Sequence, residues 1–190
     1  MMKKLSLLLA AIAALAFAAP TLASASTGLT ENGGLVAVGS RVTGTNIGAV
    51  TITSAIFGNI TCGEMMLEGE VKKNGAAVGV EVGAAGANSM GNCAAAGMAV
   101  EATSVTFTNL TSTAAEAGTG KASLSWKIDL PAVTCKFTAE AAPFTYVANG
   151  DVIKFAKAPL AVAPAAACGV ATLDAEFTLS TPNNVKFEIM

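Results

Sequence analysis

Ala122-Ser123-Leu124-Ser125-Trp126-Lys127-Ile128-Asp129 places an apolar residue at every second position. Successive side chains of an extended chain point to opposite faces. Ala122, Leu124, Trp126 and Ile128 therefore share one face, and Ser123, Ser125, Lys127 and Asp129 the other. A helix would scatter the two classes around its circumference. The stretch reads as a strand with one buried face, stopped by Pro131, which cannot donate to a sheet ladder.

The same pattern continues toward the C-terminus. Cys135 and Phe137 share a face. Phe144-Thr145-Tyr146-Val147, the Asn149-Gly150 step and residues 152–155 read as a hairpin. Asn-Gly suits the type I′ turn, which needs positive φ at both central residues. Residues 159–167 set Pro159 and Pro164 among alanines and read as a connection or a short edge. Leu173, Ala175, Phe177 and Leu179 then alternate with Asp174, Glu176 and Thr178. After the Thr181-Pro182-Asn183-Asn184 turn comes a last strand with Val185, Phe187 and Ile189 inward.

Working back toward the N-terminus, the pattern is weaker but of the same kind. Val50 and Ile52 oppose Thr51 and Thr53, and Leu67, Gly69 and Val71 oppose Glu68, Glu70 and Lys72. Asn74-Gly75 gives a second hairpin signal, with residues 76–82 as its return strand. Val100 and Ala102 share a face, whereas Val105 and Phe107 are out of step by one residue. That shift predicts a β-bulge at Thr103-Ser104. Residues 26–34 read as a loose leader, 35–38 as a short strand and 39–48 as a connection. Residues 83–91 read as a loop, 94–98 as room for one helical turn and 109–120 as a junction. Many short strands, frequent turns and no long helical periodicity predict an all-β, antiparallel β-sandwich or a barrel-like closure of the same sheet.

Four cysteines organise these strands into two units. Ile60-Thr61-Cys62 opens one and Val133-Thr134-Cys135 the other, and each is followed by an Asn-Gly step. From that Asn to the next cysteine is 19 residues in both units, 74 to 93 and 149 to 168. This common register predicts an internal duplication, with repeats at about 49–108 and 122–180 inside one domain, 26–190. Of the three possible pairings the duplication favours one bridge per repeat, Cys62–Cys93 and Cys135–Cys168. Each would stabilise by about 3.5–4 kcal/mol in the chain-entropy account.

The N-terminus predicts export. Lys3 and Lys4, an apolar run over 5–17 and Ala23-Ser24-Ala25 have the order of a secretory signal peptide, 1–25. The run falls short of the roughly 20 residues that span a bilayer, so no membrane span is expected after cleavage. No cysteine follows the cleavage site to accept a lipid. Removing the two lysines makes the formal charge two units more negative than the full chain's −2. Such a balance offers no basic surface for nucleic acid. Disulfides and export agree, since oxidising compartments favour bridged cysteines.

The residue inventory restricts chemistry. The chain has no His, so neither a Ser-His-Asp nor a Cys-His catalytic pair can be assembled, and the commonest metal ligand is missing. Bridged cysteines leave no thiol nucleophile. Glu64, Glu68 and Glu70 form the one acidic cluster to weigh. Paired carboxylates can hydrolyse glycosides, but Glu68 and Glu70 fall on the polar side of a strand beside Lys72 and read as a solvated face. Trp126 reads as core.

Several short motifs are similar to those of small secreted actinobacterial proteins with a two-disulfide all-β fold. They are Ile60-Thr61-Cys62 with Leu67-x-Gly69-x-Val71, Gly91-Asn92-Cys93, Leu130-Pro131, and Cys168-Gly169 before Ala171-Thr172-Leu173. The Leu-Pro-Trp of that group is not matched, since Ala132 follows Pro131. The resemblance implies a β fold with two bridges and transfers no active-site residue.

The expectation is thus a secreted, extracellular, disulfide-stabilised protein for structure, adhesion or ligand binding. It needs no catalysis, cofactor or metal, and its partner would be a cell-surface or extracellular ligand. Two other classes stay open. An outer-membrane β-barrel requires outward apolar bands with aromatic girdles. A secreted hydrolase would have to use Glu68 and Glu70.

Overall fold

The computed structural model describes residues 28–75, 79–96, 98–113, 118–130, 132–146, 151–181 and 188–189. The expected signal peptide, 1–25, lies outside them, as do Pro131, Asn149-Gly150 and residues 182–184, where turns were expected. So do residues 185–187 of the last expected strand.

Strands dominate. They are β1 (Leu29–Glu31), β2 (Gly34–Leu35), β3 (Arg41–Asn46), β4 (Val50–Ser54), β5 (Gly58–Gly75), β6 (Gly79–Ala84) and β7 (Ser89–Ala95). Then follow β8 (Met98–Ser112), β9 (Thr119–Leu130), β10 (Val133–Tyr146), β11 (Val152–Ala163), β12 (Ala171–Ser180) and β13 (Glu188–Ile189). One helical turn, α1 (Ala165–Cys168), precedes β12.

The large sheet closes on itself. Its order is β11-β10-β9-β8-β6-β5-β3-β12, and β12 pairs back with β11. Every pairing is antiparallel. β3 and β4 both lie between β12 and β5, and β6 and β7 both lie between β5 and β8. Ten strands therefore fill eight positions of an up-and-down ring. Of the two all-β architectures expected, this is the barrel-like one, and closure removes the exposed edges of an open sheet.

The ring closes because several strands change phase. Along β5 the inward residues are Ile60 and Cys62, then Met65, Leu67, Gly69 and Val71, with one extra residue inserted at 63–64. Asn46 holds that step, accepting from the Met65 amide at 2.7 Å and donating to the Gly63 carbonyl at 3.0 Å. The β8–β9 register shifts between Ala102 and Ser104, the bulge expected there, and again between Phe107 and Asn109. β10 shifts between Ala139 and Ala142, and β11 between Phe155 and Ala158. Bulges bend strands and increase their twist, as a small barrel requires.

The interior is apolar and filled. Trp126, Phe137, Phe144, Phe177, Ile52, Ile60, Ile128 and Leu173 are among its fully buried side chains. Each such residue stabilises by about 1.5–3 kcal/mol relative to exposure. Outward positions carry Thr, Ser, Lys and Asp, as along β9. A lipid-facing barrel has the opposite polarity.

The bridges are Cys62–Cys93 and Cys135–Cys168. Cys62 and Cys93 stand directly opposite each other in the β5–β7 ladder, whereas Cys135 ties β10 to α1. At that end the Ser54 hydroxyl donates to the Cys168 carbonyl at 2.8 Å. The halves contribute four ring positions each, β3/β4 to β8 and β9 to β12.

The opposite end is covered by a small sheet ordered β13-β1-β2. Leu29 and Val36 belong to the same buried cluster as the barrel interior. Residues 29–34 of the expected leader form β1, a turn and the start of β2. The two-residue turn, Asn32-Gly33, has φ of 51° and 78°, which suits a type I′ hairpin joining Glu31 to its partner Gly34. Asn74-Gly75 is not a turn. Both residues pair within the β5–β6 ladder.

Other expectations are also corrected. Residues 41–46 of the expected connection form β3, because pairing on both sides with β5 and β12 outweighs a weak hydrophobic pattern. The junction is shorter than 109–120, as β8 runs to Ser112 and β9 starts at Thr119. Of residues 94–98, Ala94 and Ala95 belong to β7, Met98 to β8, and Ala96 has φ 49°, so the described ones form no helical turn. The helical turn falls at α1 instead. Pro159 lies within β11.

Candidate functional site

The acidic cluster does not assemble a catalytic pair. Glu68 and Glu70 lie on the outer face of β5, as their alternation predicts. Glu70 bonds Lys72 at 2.6 Å and Glu68 lies 3.8 Å from Arg41. Exposed pairs of this kind are worth about 0–1 kcal/mol. Glu64 is exposed. Among the described residues no group of three or more His, Cys, Asp or Glu could hold a metal ion.

The barrel interior leaves little room for a ligand. A void of about 30 Å³ lies among Val42, Leu67, Val82, Phe107, Ile153 and Phe177. Small-molecule sites occupy roughly 300–1,000 Å³. Trp126 is 0% exposed, and its Nε1–H meets no acceptor among the described residues.

Concave surface is found on the outer wall around β10, β11 and β12. A depression of about 400 Å³ is lined by Thr119, Lys121, Pro143, Thr145, Lys154 and Ala156. Another, of about 320 Å³, is lined by residues 138–142 with Pro159 and Ala161. A third, of about 220 Å³, includes Ile47, Thr51, Lys154, Asp174 and Glu176. Lys154 bonds Glu176 at 2.6 Å. That hydrogen bond and the charge of Glu176 raise the Lys154 pKa above 10.5, with Asp174 adding and desolvation opposing.

The first two depressions lie along a break in the wall. β10 and β11 pair at 136–138 with 161–163, and again at 145–146 with 153–154. Between these points residues 139–144 and 155–160 face each other without ladder pairs. Both strands run on unbroken, each carrying a bulge at this level. Their inward side chains still cover the core: the Phe144 and Phe155 ring centroids are 5.7 Å apart. Pro143 and Pro159 both fall within the break. A residue without an N–H is tolerated where a ladder is open, which is the edge character Pro159 suggests in the sequence.

Sequence reasoning singled out none of Lys121, Pro143, Lys154 or Ala156. Their available signal was a proline in each of two neighbouring strands, amid alanines that leave the backbone uncovered. No protein-family model matches the chain, and no curated protein or solved structure gives a significant match.

Proposed function

We propose that the protein is an exported, disulfide-stabilised β-barrel that acts outside the cell by binding or structural support and not by catalysis. The observation that carries this reading is the pair of bridges, Cys62–Cys93 and Cys135–Cys168, with no free cysteine among the described residues. Such bridges persist where the surroundings are oxidising. The signal-peptide pattern over 1–25 agrees with them. So does an outer wall of polar residues around a filled apolar interior, which suits water on the outside. The outward, ion-paired positions of Glu68 and Glu70 support a non-catalytic role. The shared four-position plan of the halves supports an origin by duplication, and the motifs around the cysteines support kinship with small secreted actinobacterial proteins.

Fractionating cells that produce the full chain tests the reading. Soluble protein beginning at Ser26 in the medium or periplasm is expected. Recovery only from the outer membrane, or retention of residues 1–25 in the cytoplasm, would overturn it. Glycan hydrolysis lost on changing Glu68 or Glu70 to Gln would move the assignment to the hydrolase class.

A further inference from the structure

We infer that the split between β10 and β11 is a binding site for an extended peptide segment with an acidic end. In a closed ring each strand ordinarily bonds a neighbour on both sides. Here residues 139–144 and 155–160 are strand residues without ladder partners across the break. The ladder is also broken where β3 passes to β4 and β6 to β7, but there the chain itself leaves the sheet over 47–49 and 85–88. In the split, two continuous strands each carry a bulge and lack ladder pairs over six residues on each side.

Main-chain groups along an open strand recognise another main chain, and this is the chemistry of β-strand addition. Six residues match the usual strand length of about 5–6. The lips are small: Ala141 and Ala156 are exposed and carry only a methyl group. Depressions of about 400 and 320 Å³ give an incoming segment room at either end. The two ends differ in charge. Lys121 and Lys154 line the larger depression and Glu140 the smaller. Lys154 is already bonded to Glu176, which leaves the exposed Lys121 to meet a carboxylate. A peptide whose acidic end lies at Lys121 meets complementary charge there and avoids Glu140.

Meeting such a peptide outside the cell rests on the export reading above, which fractionation tests by itself. The site is tested by panning a random linear heptapeptide library on the mature, oxidised protein, with Ala156→Trp as counter-target. Enriched peptides are expected to carry Asp or Glu near one end. They should slow amide exchange at least tenfold within 139–144 and 155–160, and lose at least tenfold in affinity on Ala156→Trp or Ala141→Trp. Both variants should keep the two bridges by intact mass. If a tryptophan variant fails to fold, the exchange footprint on the unaltered protein decides. No enrichment, enriched peptides without an acidic end, or protection mapped elsewhere would overturn the proposal. So would binding indifferent to tryptophan at both lips of a folded protein.

Discussion

Trp126 is the largest wholly buried side chain in the barrel, and its indole N–H has no acceptor among the described residues. A buried donor without a partner costs about 1–3 kcal/mol. Trp126→Phe removes that donor and keeps most of the apolar contact, so its denaturant midpoint is expected to stay within the equivalent of about 1 kcal/mol of the parent. Trp126→Ala should cost about 3–5 kcal/mol by leaving a cavity. Two glycines make a second comparison. A Cβ on Gly44 would lie 3.8 Å from Leu179 and 3.9 Å from Leu67, beside the small interior void. Gly44→Ala is expected to be neutral or to stabilise by about 0.4–1 kcal/mol. A Cβ on Gly120 would collide with the Phe144 ring and lie 2.6 Å from the Thr111 carbonyl. Gly120→Ala should destabilise by about 1–3 kcal/mol. Urea unfolding of the pair reads both signs. Lys154 supplies the pH-dependent case. Its folded pKa is raised, so the pair's contribution is complete below 10.5 and fades as pH rises through the raised value. Glu176→Gln should lower the Lys154 pKa, followed by NMR at Nζ.

At the scale of elements, one side chain makes three hydrogen bonds between the barrel and the segment of the small sheet. Asn74 accepts from the Leu29 amide at 2.7 Å and donates to the carbonyls of Leu29 at 2.7 Å and Val36 at 2.8 Å. Asn74→Ala is expected to cost about 2–3 kcal/mol by leaving partly buried backbone groups unpaired. Amide exchange at Leu29 and its neighbours in β1 should accelerate more than in β9. If β1 and β9 accelerate equally, the small sheet is not an independent unit. Legibility in the sequence follows strand regularity. β9 and β12 alternate without interruption, and their inward residues can be read directly. β5, β10 and β11 carry bulges that reverse the phase midway, so no single period-two template fits them. In β3 the alternation rests on Val42 and Gly44, too little apolar weight to register. The Asn-Gly at 74–75, which reads as a turn, and the one at 32–33, which falls within the expected leader, both depend on tertiary context. Asn74 gives up the turn because its amide is engaged by β1, and Asn32-Gly33 makes one because β1 and β2 pair beside it. The wall depressions were not legible, since an interrupted ladder leaves no periodic signal.

For the whole molecule, closure and cross-linking act together. The ring pairs each of its strands on both sides, with the split between β10 and β11 as an open stretch, and each bridge closes a loop of a little over thirty residues, with separations of 31 and 33. Loss of a native bridge typically costs about 2–5 kcal/mol, a large share of the roughly 5–15 kcal/mol that holds a domain folded. The pairing was legible from the cysteine register, although the two bridges differ in setting, one across a ladder and one from strand to helix. Cys62→Ala with Cys93→Ala and Cys135→Ala with Cys168→Ala are each expected to lower the unfolding free energy by that amount. Non-reducing peptide mapping of protein recovered from the medium tests the account most directly. A chain starting at Ser26 with linked Cys62–Cys93 and Cys135–Cys168 fragments is predicted. Linked Cys62–Cys135 fragments, or four reduced thiols in the native exported protein, would contradict it.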